Sequence, residues 1–246
     1  MKIALVYDRI NKWGGAERVL LTLHEMFPEA PLYTSVYDER KASWAKVFPK
    51  IYTSFLQKVP FVKSNHELFG WLMPLAFETF NFDMYDLVIS VTSEAAKGII
   101  TKPKTRHICY CLTPTRYLWS HYDLYFKNNF LKFISKPVIN YLKVWDKIAA
   151  SRPDEFIAIS TEVKKRIKKY YDRGSKVIFP PVSTPEVAIA NHSRSGYFLI
   201  VSRLVGYKRV DLAVKAFNKL KLPLVVVGTG SQANNLKLIA GNNIKF

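Results

Sequence analysis

Cysteine, carboxylate and long apolar runs are what this chain of 246 residues has little of. Its two cysteines, Cys109 and Cys111, have no ligand partner nearby, so neither a disulfide framework nor a paired-cysteine metal site is expected. If their apolar run is a strand, the two side chains are expected on opposite faces, which argues against a mutual bridge. Two buried thiols in a reducing cytoplasm are the favoured reading. No run approaches the roughly 18 apolar residues of a membrane span. The opening Ile3–Tyr7 is too short for a signal-peptide core and is cut by Asp8 and Arg9. The chain is therefore expected to be unsecreted and non-spanning.

Only 19 carboxylates stand against 37 basic side chains, leaving a formal charge of +18. Such a field favours phosphates, nucleic acid or an anionic membrane surface and says nothing about fold. No RNP-type aromatic motif or zinc finger accompanies it, so nucleic acid is not the expected partner. The patterns D-x-D, H-E-x-x-H, G-x-S-x-G and the phosphate-loop and dinucleotide glycine fingerprints are missing as well. No metal and no bound cofactor is expected.

What remains is a chain with 49% hydrophobic residues, enough for a substantial core. Strand-like runs recur at Lys2–Tyr7, Leu32–Val36, Leu87–Val91, His107–Leu112, Phe156–Ile159, Val177–Phe179, Tyr197–Val201 and Leu224–Val227. Helical spacing fills Ala16–Phe27, His66–Phe80, Phe126–Ala150, Thr161–Tyr171, Val210–Leu220 and Ser231–Ala240. Continuous runs such as Leu87-Val88-Ile89 and Leu224–Val227 favour strands buried on both faces, hence a mainly parallel sheet. The fold class is α/β. Residues 1–182 read as one domain, 183–196 as a linker and 197–246 as an incomplete second domain, with Asn243–Phe246 starting another strand. Pro137 is expected to kink or divide the stretch Phe126–Ala150. That stretch reads as a helix on the sheet with its lysines in water; an anionic membrane surface is the alternative.

Four junctions stand out for chemistry. After Tyr197–Val201, the loop Ser202-Arg203-Leu204-Val205-Gly206-Tyr207-Lys208-Arg209 enters a helix at Val210. Helix-start amides favour an anion, Arg203 offers a guanidinium fork and Lys208 a mobile charge, which suits a diphosphate. A surface loop with solvated cations is the competing reading. Gly14-Gly15 follow the first strand and permit close approach to the backbone, or simply a tight turn. Thr113-Pro114-Thr115-Arg116 offers hydroxyls and a second anion-binding fork on a rigid loop. Gly228-Thr229-Gly230, after Leu224–Val227, can admit a ligand or form a plain turn. Ligands of parallel sheets sit beyond the strands' carboxyl ends, where all four loops fall.

Taken together, Gly14-Gly15-Ala16-Glu17-Arg18, Thr113–Trp119, Phe156–Ser160 leading to Arg166, Val177–Val182, and Ser202-Arg203-Leu204 with Lys208-Arg209-Val210-Asp211 resemble the family-four retaining glycosyltransferases, over essentially the whole chain. The resemblance implies a GT-B fold of two Rossmann-like domains, an acceptor-side one and a donor one. It implies a hexosyltransferase moving a sugar, mannose-type by the Thr113–Trp119 segment, from a nucleotide-sugar to a cell-envelope glycan or lipid-linked acceptor in polysaccharide biosynthesis. Anomeric configuration would be retained without a metal. Arg203 and Lys208 would grip the donor diphosphate, with Gly14, Gly15, Thr113, Arg116, Ser202, Gly228 and Gly230 as substrate-binding positions. The implied location is the cytoplasm, at the inner face of the cell membrane. Two departures accompany the match. Many relatives have histidine immediately before the Thr-Pro, where this chain has Leu112, and neither His107 nor His121 occupies that position. The family's glutamate-rich donor motif would fall in a part of the second domain that this chain lacks, so a truncated remnant or a subunit needing that portion is the alternative.

Overall fold

The computed structural model describes residues 1–62, 66–125, 129–182 and 196–246. The chain divides into two units, Met1–Ser183 and Thr184–Phe246. The expected linker 183–196 lies outside the described residues except for Gly196.

The first unit is built on β1 (Ile3–Tyr7), α1 (Gly15–Met26), β2 (Leu32–Thr34), β3 (Ile51–Thr53), α2 (Met73–Glu78), β4 (Leu87–Thr92) and β5 (Arg106–Cys111). It continues with the short helices α3 (Arg116–Trp119) and α4 (Tyr122–Tyr125), then α5 (Asn129–Ala149), β6 (Glu155–Ala158), α6 (Thr161–Tyr171) and β7 (Lys176–Val177). Its seven strands are all parallel, in the order β3-β2-β1-β4-β5-β6-β7. The chain leaves β3 at one edge and returns to lie beside β1, so the order reverses between β1 and β4, the crevice where such sheets bind ligands.

Apolar strands with period-two side-chain alternation bury both faces at once. Ala4, Val6 and Val88 pack with Phe77 of α2 and Trp145 and Ala149 of α5 on one side. Leu5, Tyr7, Ile89 and Val91 pack with Val19 and Leu20 of α1 on the other. Ser160 caps α6 by accepting the Val163 amide at 3.2 Å, and Asp172 ends it in the left-handed conformation.

The second unit runs β8 (Phe198–Val201), α7 (Val210–Leu220), β9 (Leu224–Val227), α8 (Ala233–Leu238) and β10 (Ile244–Lys245), a parallel sheet in the order β10-β9-β8. Leu204, Val210, Val214, Leu224, Val226, Leu236 and Ile244 form its core.

Four expectations need correction. Cys109 and Cys111 are free and buried but share one face of β5, in a single cluster with Phe156 and Ala158. Residues two apart on a strand point the same way. Pro137 does not divide α5, which runs through it. The carbonyl that Pro137 deprives of a donor belongs to Phe133, on the helix's exposed side where water can reach it. His66–Phe80 is not one helix but a 3-10 segment, His66–Leu72, followed by α2, with Pro74 inside its first turn. Leu224–Val227 is buried on one face only: Leu224 and Val226 are covered, whereas Val227 is half exposed beside Leu199 and Val201.

Candidate functional site

At the carboxyl ends of β1 and β4 in the first unit, charge is buried and matched internally. Asp8, just past β1, accepts the Thr92 hydroxyl at 2.7 Å and the amides of Ser93, Glu94, Ala95 and Ala96 at 2.7 to 3.1 Å. Burial and the neighbouring Glu94 charge push its carboxyl up, and the amide donors oppose that. Arg9 makes a two-pronged pair with Glu94 at 2.5 and 2.8 Å. These contacts fix the loop after β4 against the end of β1.

The loop after β5 is anchored through Asp146 of α5. This buried carboxylate pairs with the buried Lys97 ammonium at 2.5 Å. It also accepts the Thr115 hydroxyl at 2.9 Å, the Trp119 indole N–H at 2.7 Å and the Tyr171 hydroxyl at 2.8 Å. Burial works against the Lys97 charge, and Asp146 more than offsets it, so the ammonium is held above its ordinary range. Burial first, then the Asp146 charge, raises the Tyr171 phenol. Thr113 is buried, with its hydroxyl on the Pro114 carbonyl at 3.2 Å. Arg116 begins α3 and is exposed to solvent. Leu112 is half-buried against the cluster that includes Leu5 and Tyr110.

The two glycines before α1 differ. A Cβ at Gly14 would stand 3.0 Å from the Glu17 carboxylate, which is buried and accepts the Tyr7 hydroxyl at 2.9 Å. A Cβ at Gly15 would meet nothing within 4 Å. Gly14 caps α1 with no side-chain bond, so the first-turn amides of a 12-residue helix lack a side-chain cap.

In the second unit the β8–α7 junction is organised around Tyr207. The Arg203 guanidinium lies 5.9 Å and the Lys208 ammonium 5.8 Å from the centre of the Tyr207 ring, and Arg203 also donates to the Tyr207 hydroxyl. All three side chains are exposed, so two cations and one aromatic ring gather in solvent at the carboxyl end of β8. Arg209 adopts the left-handed conformation at the start of α7 and turns its guanidinium back onto Asp211. Gly228 and Gly230 have φ of 151° and 155°. Their Cα atoms lie against the carbonyls of Ser202 and Leu204, where an added Cβ would stand at 1.8 and 2.3 Å. Hydrogen bonds from the Ser202 amide to the Val227 carbonyl and from the Leu204 amide to the Thr229 carbonyl extend the sheet through this contact. The close approach those glycines permit is made by the chain itself. Ser202 is half-buried, and its hydroxyl lies 3.3 Å from the Arg203 carbonyl.

Sequence reasoning assigned no role to Asp8, Glu17, Glu94, Lys97 or Asp146. One signal was legible: Asp146 falls on the same helical stripe as Ile139, Leu142, Trp145 and Ala149, and a carboxylate on a core-facing stripe needs a partner. A hollow of about 430 Å³ lined by Pro103, Lys104, Arg106, Asp154 and Glu155 opens at the amino ends of β5 and β6, away from these loops.

A parallel sheet with a reversal beside its first strand, followed in the second unit by a further parallel sheet, gives an α/β, GT-B-like fold. No family model matches the chain, and no curated protein matches it in sequence. Among solved structures it is similar to HepE of Anabaena. The complex of that protein with UDP aligns at 17% identity and a TM-score of 0.59, over 100% of this chain and 68% of HepE. The complex with UDP-glucose aligns at 16% identity and 0.60, over the same shares.

Proposed function

We propose that this chain is a glycosyltransferase, or the larger part of one, that moves a sugar from a nucleotide-sugar to an acceptor hydroxyl. The observation that carries the reading is the pair of exposed cations, Arg203 and Lys208, each within about 6 Å of the Tyr207 ring at the carboxyl end of β8. The likeness in fold to a protein crystallised with UDP and UDP-glucose supports it. In this reading the cations and the amides at the start of α7 hold the donor diphosphate, with Ser202, Gly228 and Gly230 shaping the loops around it. Gly15 and Arg116, both open to solvent, serve the acceptor side, and Gly14 and Thr113 shape their loops. The sugar C1–O bond to phosphate breaks as the C1–O bond to the acceptor forms on the same face. The departing phosphate oxygen takes the acceptor's proton, so configuration is retained and neither a metal nor an enzyme base is required. Donors preorganised on developing charge contribute about 2.7–4 kcal/mol each when judged by deletion. A mannose-type hexose and a cell-envelope glycan or lipid-linked acceptor, in polysaccharide biosynthesis on the cytoplasmic side, complete the proposal.

Titration calorimetry with UDP, GDP and ADP tests the donor side. One nucleoside diphosphate is expected to bind, and Arg203→Ala or Lys208→Ala to weaken it at least about tenfold each. Equal affinity in both variants would remove these residues from the site. A second reading is favoured by β8 itself. Phe198, Leu199 and Val201 are each more than half exposed, and among the described residues β8 pairs only with β9. A strand so placed accepts a further parallel neighbour, so the donor half would be completed by additional polypeptide. No heat with any nucleoside diphosphate at millimolar concentration favours this second reading.

A further inference from the structure

Helix α5 has three faces, each occupying about a third of its circumference. Ile139, Leu142, Trp145, Asp146 and Ala149 are buried against the first unit. Phe133, Ile134, Val138, Tyr141, Val144 and Ile148 form a second stripe, and each of them is between 42 and 78% exposed. Lys132, Lys136, Lys143 and Lys147 form the third, along one edge of the exposed apolar stripe. Asp146, the helix's one carboxylate, is buried and paired with Lys97. The basic edge also lines a hollow of about 360 Å³ with Tyr122 and Asn140. Lys132 is paired with Asp123, whereas Lys136 and Lys143 have no carboxylate partner among the described residues.

We infer that α5 docks the protein in the plane of an anionic phospholipid surface. The apolar stripe enters the acyl boundary, and the lysine hollow takes a lipid phosphate. From Phe133 to Ile148 the stripe runs about 22 Å, parallel to the helix axis and free of acidic side chains. A large apolar stripe of this kind needs a covering partner. An aqueous protein partner would have to match a row of lysines with carboxylates, and a second copy packed antiparallel would set lysine row near lysine row. A sheet of anionic headgroups over acyl chains satisfies both stripes at once. No described helix is long and apolar enough to cross a membrane, so the contact is peripheral.

The inference stands apart from sugar transfer, because vesicle binding and nucleotide binding are read separately. Flotation with phosphatidylcholine vesicles, with and without an equal share of phosphatidylglycerol, tests it. The protein is expected to partition onto the anionic vesicles at least about tenfold better than onto neutral ones, and added salt to release it. The double substitution Phe133→Ser and Val144→Ser is expected to weaken anionic partition about tenfold without moving the melting temperature. The double substitution Lys136→Gln and Lys143→Gln is expected to abolish the anionic preference. Equal partition onto both vesicles, or unchanged partition of the serine variant, overturns the inference. So does a dimer that the serine substitutions dissolve in the absence of vesicle binding, which would give the face to a second copy.

Discussion

The two units treat the same topological place in opposite ways. Around the carboxyl ends of β1 and β4 in the first unit, Asp8, Arg9, Glu94, Lys97 and, from α5, Asp146 are mostly withdrawn from water and matched to one another or to amides. Past β8 of the second, Arg203 and Lys208 stand in solvent, both beside the Tyr207 ring. A buried charge must find its partner inside the protein, so the first set is committed to holding loops in place. An exposed cation beside a ring costs little to keep, and its partner can come from outside. The strands repeat the contrast. β1 is paired on both sides and almost wholly buried, whereas β8 is paired on one side among the described residues and largely exposed.

The sharpest way to break this comparison is to remove a committed charge. Asp146→Ala is expected to cost about 3–5 kcal/mol, because it strands the buried Lys97 ammonium. Urea denaturation measures it, and a loss below about 1 kcal/mol would mean that water reaches the pair. A second prediction uses pH. Burial pushes the His107 imidazole down to about 3, so it stays neutral in the fold, with Nε2 at 2.8 Å from the Ser90 hydroxyl. In the unfolded chain it protonates near about 6.5. Its contribution is therefore complete above that value and is lost as pH falls toward the folded value, at up to about 1.4 kcal/mol per pH unit. Between neutral pH and about pH 4.5, His107→Gln should lose roughly 2–3 kcal/mol less stability than the parent. Parallel pH curves would show that His107 is solvated.

Third come the glycines. Gly228→Ala forces a Cβ into the Ser202 carbonyl at a positive φ and should cost about 2 kcal/mol or more. Gly15→Ala has open space at the start of α1 and should be neutral or slightly stabilising. Thermal melts of the pair separate a glycine required by the chain's own backbone from one that leaves room for a ligand. The smallest effect is expected where the functional proposal is strongest. Arg203→Ala with Lys208→Ala should change stability by less than about 0.5 kcal/mol while weakening the nucleoside diphosphate. A large stability loss there would make the two cations structural and erase the contrast between the units.

Much of the architecture was legible in the residues. Unbroken apolar runs such as Leu87-Val88-Ile89 announced strands covered on both faces, and the 3.6-residue spacing of Val210–Leu220 and Thr161–Tyr171 announced helices with the observed bounds. β3 was not foreseen, because Ile51–Thr53 is three half-buried residues with no period of its own. The cationic junction at Arg203 and Lys208 was visible from spacing alone. Tyr207 was visible too, but its place beside both depends on the 3-10 turn Gly206–Lys208, which a pattern of residue types does not specify.

The sequence by itself determined the alternation of strand and helix, the parallel sheet, and the loops that carry cations and glycines. These follow from local periodicity and from backbone preferences that each residue brings with it. Only the tertiary structure decided which charges are spent inside the protein. Pairing Lys97 with Asp146, Arg9 with Glu94, and Asp8 with the amides after β4 joins residues tens of positions apart. A charge's fate depends on its burial and on what faces it across space, and spacing along the chain encodes neither.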